Sequence, residues 1–357
     1  MSGGPAPLIA VAARRLAGRA SRIGYIGWLG HGNLGDETMR AAAEQLLGQP
    51  LEPVLSAQSE RVLAAIGASG SRTFAAVVLG GGTLINPGRL ALVEDCLRRG
   101  VPFVALGTGV GSAGLSAVEE PLDPRWAVAL ARFRGVGMRG PLSAAKLAEA
   151  GFSGAHVIGD LALALTPDEP EAGWTGRRLL LNMAPARLPE DRRRLEAVQA
   201  AFADAIRDLA RRGFEPMAVA FDPADVPVLE ELLVVAGMSG AEIHQPVDFA
   251  DYRRLACEAR FALGVRLHSA VFAAACGVPP LLIGYRDKCR DFAETVGLAD
   301  NVIDLGDFDA GDFRARLARL QTDPEAEGRR LHGRCCELRS ELNQFADAHL
   351  RPLLPGV

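Results

Sequence analysis

Long apolar runs are missing from this 357-residue chain: no stretch of about 18 residues is apolar enough to cross a bilayer. The N-terminal run "MSGGPAPLIAVAARRLAGRASR" has no long hydrophobic segment of the signal-peptide kind, so a cytoplasmic protein is expected, with residues 1–20 loosely ordered. Aromatic residues make up only 6%, which argues against a broad stacking surface for bases or glycans. An excess of positive charge is missing too. With 39 Lys and Arg against 43 Asp and Glu, the net charge of −4 offers nucleic acid no attractive field. Any anionic ligand must instead find a local cationic pocket.

The six cysteines (Cys96, Cys257, Cys276, Cys289, Cys335 and Cys336) form no C-x-x-C pair and no regular framework, which fits reduced thiols. Cys335, Cys336 and nearby His332 fall short of the four ligands that a structural zinc ion takes, so no metal is expected.

What the chain does have is 49% hydrophobic and 23% charged residues, a globular composition, and a length that suits two domains. Short β-branched runs alternate with Ala-, Leu- and Arg-rich helical segments, the signature of βα units and parallel sheets. Strands are expected over 22–27, 53–56, 76–79, 101–106, 135–138 and 156–158. Helices are expected over 37–47, 60–66, 90–99, 126–133 and 141–150. The Pro-, Gly- and acid-rich stretch "TPDEPEAGWTGR" then breaks the rhythm and reads as a linker, 166–177. Beyond it the strands resume at 178–182, 215–220, 242–245, 261–265, 280–284 and 302–305. The expected organisation is α/β: two tandem Rossmann-like domains, 1–165 and 178–325, facing a cleft. A closing helix over 326–357 is expected, one able to cross back to the first domain.

Several strand ends carry chemistry. In "GYIGWLGHGNLGDETM" a strand enters a Gly-rich turn and leaves as a helix, but the acidic residue that completes a dinucleotide fingerprint is unconvincing. Asp36 and Glu37 have two equal readings there, as partners for sugar hydroxyls or as caps of the following helix. "VVLGGGTLINPG" and "VALGTGVGSAG" suggest two successive βα turns stripped of side chains, a floor kept clear for a ligand. Neither turn has the lysine of a P-loop. Arg139 ends a strand; a lone arginine is more often a surface residue, but this position favours a ligand.

The richest segment is "FALGVRLHSAVFAAACGVPPLLIGYRDK", almost wholly small and apolar, yet holding Arg266, His268 and Lys288. A buried cation without a partner is costly, so either the chain or a ligand supplies the negative charge. Arg266 and His268 fall at a strand-to-helix turn, where extended residues i and i+2 face one side. Ser269 is placed to cap the helix that follows, and Lys288 comes after the next strand.

These pieces, with "MRGPLSAAKLAEAGF" and "VIGDLAL", resemble the polysaccharide pyruvyl transferase family in order and spacing over nearly the whole chain. The resemblance implies a two-domain fold like that of the B-type glycosyltransferases. It also implies transfer of the carboxyethylidene group of phosphoenolpyruvate to a sugar or glycoside acceptor as a ketal. Arg139, Arg266 and Lys288 would then be cations for the donor, with His268 the general acid. Gly80, Gly81, Gly82, Gly107, Gly109 and Ser269 would lie on the donor side, and His31, Asn33, Asp36 and Glu37 on the acceptor side. No cofactor beyond phosphoenolpyruvate as co-substrate is implied, and a homo-oligomer is compatible.

The chain departs from the family at Gly140, where an acid is common, at Leu161, where proline is usual, and at Arg286 and Asp287 before Lys288. Two other readings share the fold: a nucleotide-sugar-dependent glycosyltransferase and a catalytically silent binding protein.

Overall fold

The computed structural model describes residues 5–16, 23–55, 59–60, 63, 65, 74–111, 121–186 and 188–354. It divides into two compact units, residues 1–164 with 340–357, and residues 165–339. The helix expected over 60–66 falls largely outside the described residues, as do positions 22 and 56 of two expected strands. Part of the expected loosely ordered N-terminus is instead a helix, Pro5–Leu16, whose Val11 packs with Leu63.

The first unit is built on β1 (Ile23–Ile26), β2 (Glu52–Pro53), β3 (Ala76–Leu79), β4 (Gly82–Ile85), β5 (Phe103–Val110), β6 (Gly135–Met138) and β7 (Ala155–Val157). All pairs are parallel in the order β2-β1-β3-β5-β6-β7, with β4 paired to the far end of β5. Strands such as "IGYI" and "AVVL" are buried along their whole length. That explains why their sequences are continuously apolar rather than alternating: a parallel sheet is covered on both faces.

The second Gly-rich segment is strand rather than turn through Val110, and its residues beyond 111 lie outside the described residues. Gly107, at φ 65°, lets β5 shift register between Ala105 and Thr108 and continue to Val110, where it pairs with β4.

The second unit carries β8 (Arg178–Leu181), β9 (Glu215–Val219), β10 (Ile243–His244), β11 (Ala259–Gly264), β12 (Pro280–Gly284) and β13 (Val302–Asp304). Their order is β10-β9-β8-β11-β12-β13, again all parallel. The core packs Leu179, Leu181, Phe261, Leu263 and Ile283 of the sheet against Phe202, Ile206, Leu232 and Phe313 of the helices.

Residues 166–177, read from the sequence as a linker, are pinned to this unit. Trp174 donates to the Gly277 carbonyl at 2.8 Å, Glu171 N–H donates to Cys276 O at 2.9 Å, and the Glu171 carboxylate pairs with Arg253. Among the described residues no helix is long and apolar enough to cross a membrane.

In each sheet the chain winds outward one way and then the other. The reversal lies between β1 and β3 in the first unit and between β8 and β11 in the second. In open α/β sheets the crevice at the carboxyl ends of such a strand pair is where ligands bind.

Candidate active site

At the reversal point of the second sheet three strand ends are tied together by side chains. Asn182 follows β8, Asp225 sits in the turn after β9, and Arg266 follows β11. Arg266 is 7% exposed and Asp225 is fully buried. The guanidinium donates from Nε to both Asp225 oxygens, at 2.9 and 2.7 Å, and from Nη2 to Oδ1. Asp222 adds a carboxylate oxygen 3.7 Å from Nη2. Asp225 also accepts from Phe221 N–H at 3.1 Å and from the Asn182 amide at 3.4 Å. Burial opposes the Arg266 charge, but its bonds to Asp225 more than offset this and hold the guanidinium above its ordinary value.

The partner that the sequence left open for Arg266 is therefore an acid of the chain itself. Arg266 is thus paired within the chain, one of the two arrangements that the sequence left open for it.

The geometry of Arg266 and His268 also differs from the expectation of a shared extended face. Arg266 is extended (φ −73°, ψ 136°) and is the N-cap of the helix Leu267–Ala275, so His268 already lies in the first helical turn. Strand periodicity stops at the boundary, and His268 is half-buried with its ring centroid 5.9 Å from that of Phe272.

Ser269 is not the cap. Its hydroxyl donates to Arg266 O at 2.6 Å and packs against Gly264, where a side chain would collide with it.

Lys288 follows β12, the strand beside β11, in the first turn of the helix Asp287–Val296. It is half-exposed, with Nζ 5.0 Å from the centre of the Tyr285 ring, and makes no ion pair with any described residue. Arg286 approaches the same ring at 5.8 Å.

His268 and Lys288 thus hold equivalent places, each the second residue of a helix that starts at the carboxyl end of adjacent strands. The N-cap side chain of neither helix, Arg266 or Arg286, makes a capping bond. Helix starts of this kind present backbone N–H groups and the positive end of a dipole, which favours an anion by about 0.3–1 kcal/mol each. Lys288 adds a full charge.

Arg139 lies in the first unit, apart in the chain from this group, and is 1% exposed. Its Nη1 stands 3.9 Å from the Asp160 carboxylate, which is fully buried after β7, and its backbone N–H bonds Thr108 O at 2.7 Å. Gly109 is glycine because the Arg139 guanidinium fills the space a Cβ would take. Arg139 is thus a buried arginine with a buried acid beside it.

The same accounting covers the other glycines. A Cβ at Gly80 would meet the Tyr25 ring and hydroxyl, one at Gly81 the Met39 sulfur, and one at Gly107 the Leu161 backbone. Gly82 has φ 96°, which disfavours any side chain. At Gly80, Gly81 and Gly109 the unit's own side chains take the space a Cβ would occupy, and at Gly107 the backbone of Leu161, the departure from the family pattern, does so.

On the turn after β1, Asn33 caps the helix Leu34–Leu47 by accepting from Asp36 N–H at 3.2 Å, and Glu37 accepts from Gly30 N–H at 2.6 Å. Asn33 is therefore the cap that the sequence reading gave to Asp36 and Glu37, and Glu37 instead ties the helix start back to the turn at Gly30. Asp36 faces the turn beside Gly82 and raises the pKa of buried Tyr25, after burial itself the largest cause. His31 stacks on Trp28 with ring centroids 4.2 Å apart, and Trp28 is 39% exposed.

The sequence reading missed Asp225, Asn182 and Tyr285. Only the rule that a buried arginine needs an acid pointed toward them, and nothing local said which acid. Among the described residues no group of three or more His, Cys, Asp or Glu side chains could hold a metal ion.

Comparison with known proteins bears on this arrangement. The family model for polysaccharide pyruvyl transferase matches residues 33–287, a span that includes Arg139, Arg266 and His268 and ends at Asp287, one residue before Lys288. No curated protein matches the sequence significantly. Among solved structures, Anabaena HepE in complex with UDP and glucose aligns at TM-score 0.52 and 12% identity, over 91% of this chain and 98% of that one. UDP-GlcNAc 2-epimerase from Neisseria meningitidis bound to UDP-GlcNAc aligns at TM-score 0.50 and 11% identity, over 95% and 96%. Staphylococcus aureus MnaA with UDP aligns at TM-score 0.50 and 14% identity, over 87% and 89%. At such identities the likeness is one of fold, the α/β architecture with parallel sheets found in B-type glycosyltransferases and related epimerases.

Proposed function

Because this chain belongs to the polysaccharide pyruvyl transferase family, we propose that it moves the carboxyethylidene group of phosphoenolpyruvate onto hydroxyls of a sugar acceptor. The observation that carries this reading is the pair of helix starts bearing His268 and Lys288 on adjacent strand ends. Phosphoenolpyruvate has a phosphate and a carboxylate, and two N-termini with one unpaired ammonium suit two anionic groups. Arg266, already bonded to Asp225, contributes directed N–H groups more than charge.

In this reading His268 in its protonated form donates to the C3 methylene, making C2 electrophilic. A sugar hydroxyl forms a C–O bond to C2 and gives up its proton to the now neutral His268 or to the medium. The C2–O bond to phosphate then breaks, the phosphate leaving with the electron pair. A second hydroxyl closes the ketal, its proton passing to the medium or the departing phosphate. The Trp28–His31 stack and Asp36 are our candidates for acceptor contacts, while Asn33 and Glu37 shape their turn.

Phosphate release from phosphoenolpyruvate in the presence of candidate glycosides tests this. The expected result is acceptor-dependent release that is lost in His268→Ala. Release of nucleotide from a nucleotide sugar, with none of phosphate from phosphoenolpyruvate, would contradict it.

A further inference from the structure

Asp225 takes part in no step above, yet its surroundings are unusually well built. The carboxylate is fully buried and takes hydrogen bonds from Arg266, Phe221 N–H and the Asn182 amide. Asn182 in turn accepts the Arg266 backbone N–H at 3.0 Å and donates to Val219 O at 3.0 Å. Arg266 O then accepts from Ser269 N–H at 3.0 Å and from the Ser269 hydroxyl at 2.6 Å. Side chain and backbone of Arg266 are thus fixed together, and its backbone begins the helix on which His268 sits. Since Nε and Nη2 are engaged by Asp225, Nη1 is the edge bonded to no described residue.

We propose that Asp225 is a positioning residue. It holds the Arg266 guanidinium in one plane with Nη1 toward the donor, and through Arg266 it sets the start of the helix that presents His268. The inference rests on the phosphoenolpyruvate reading above.

A buried ion pair can also be purely structural, and that alternative differs in what it predicts. A structural pair changes how much protein is folded, whereas a positioning pair changes the turnover of each folded molecule. Misplacing a reacting group by about 1 Å costs on the order of a hundredfold in rate.

The test is a double-mutant cycle of Asp225→Asn, Arg266→Gln and the double variant, with kcat, the KM for phosphoenolpyruvate and melting temperature measured for each. For Asp225→Asn we expect kcat to fall about 10- to 100-fold, with KM within about threefold of the parent. The double variant should be no slower than Arg266→Gln alone, because Asp225 acts through Arg266. A lowered melting temperature with parental kcat, or fully additive losses, would overturn the proposal. If Asp225→Asn does not fold, Asn182→Ala leaves the ion pair in place and should still lower kcat more than it raises KM; parental kcat in that variant overturns the proposal equally. A parent protein that neither binds nor turns over phosphoenolpyruvate overturns the donor reading together with this one. Parental turnover with an unaffected Asp225→Asn overturns this one alone.

Discussion

A guanidinium bonded on two of its nitrogens by a buried carboxylate brings little net charge to a ligand. In the proposed reading Lys288, which has no ion pair among the described residues, is then the cation that most of the donor's charge would fall to. A hydrogen bond to a charged group contributes about 1.5–3 kcal/mol, so Lys288→Ala should raise the KM for phosphoenolpyruvate roughly 10- to 100-fold. Titration of the variant at several salt concentrations checks this; unchanged affinity would place the donor elsewhere. His268 has a different task in the same reading. His268→Ala should lower kcat about 10²- to 10⁴-fold, the usual range for a general acid, while calorimetric binding of phosphoenolpyruvate persists. Loss of binding to the same degree would make His268 a clamp rather than the acid.

Among the elements, the glycine segments show how a motif can mislead about its cause. Gly80 is glycine because Tyr25 lies where its Cβ would be. Gly80→Ala should therefore cost about 1–3 kcal/mol through overpacking and lower the melting temperature without any ligand present. A variant that keeps its melting temperature and loses only substrate binding would restore the ligand-floor reading.

The long helix Pro324–His349 gives a pH-dependent contact. Its His332 is 5% exposed, with Nε2 3.0 Å from Pro167 O. Burial holds its pKa below the ordinary 6.5, against the pull of the Pro167 carbonyl and with Arg339 adding to the lowering. The unfolded chain takes up this proton first as pH falls. The contribution of His332 to stability is therefore present above about 6.5 and is lost as pH drops toward the folded value. Thermal melts from neutral to mildly acidic pH should show a decline that is shallower in His332→Gln; identical slopes would remove His332 as its source.

For the molecule as a whole, most of the secondary structure was legible because parallel strands are buried on both faces and announce themselves as short apolar runs. The βα rhythm, the restart after residue 177 and the strand ends that carry Arg266 and Lys288 follow from that pattern alone. What stayed hidden depends on neighbours distant in sequence. Asp225 lies 41 positions from Arg266, and sheet order, not local composition, places the two strand ends side by side. The strand β4 and the bulge in β5 were masked by glycines that read equally well as turns. His268 and Arg266 part company because a helix begins between them, a boundary whose exact residue the sequence leaves open.

The central claim is that the second unit holds phosphoenolpyruvate at the helix starts of His268 and Lys288. Calorimetric titration of the full chain with phosphoenolpyruvate, and separately with a UDP-sugar, tests it most directly. The account predicts saturable binding of phosphoenolpyruvate that is weakened in Lys288→Ala and retained in His268→Ala. Binding of the UDP-sugar with no response to phosphoenolpyruvate would contradict it.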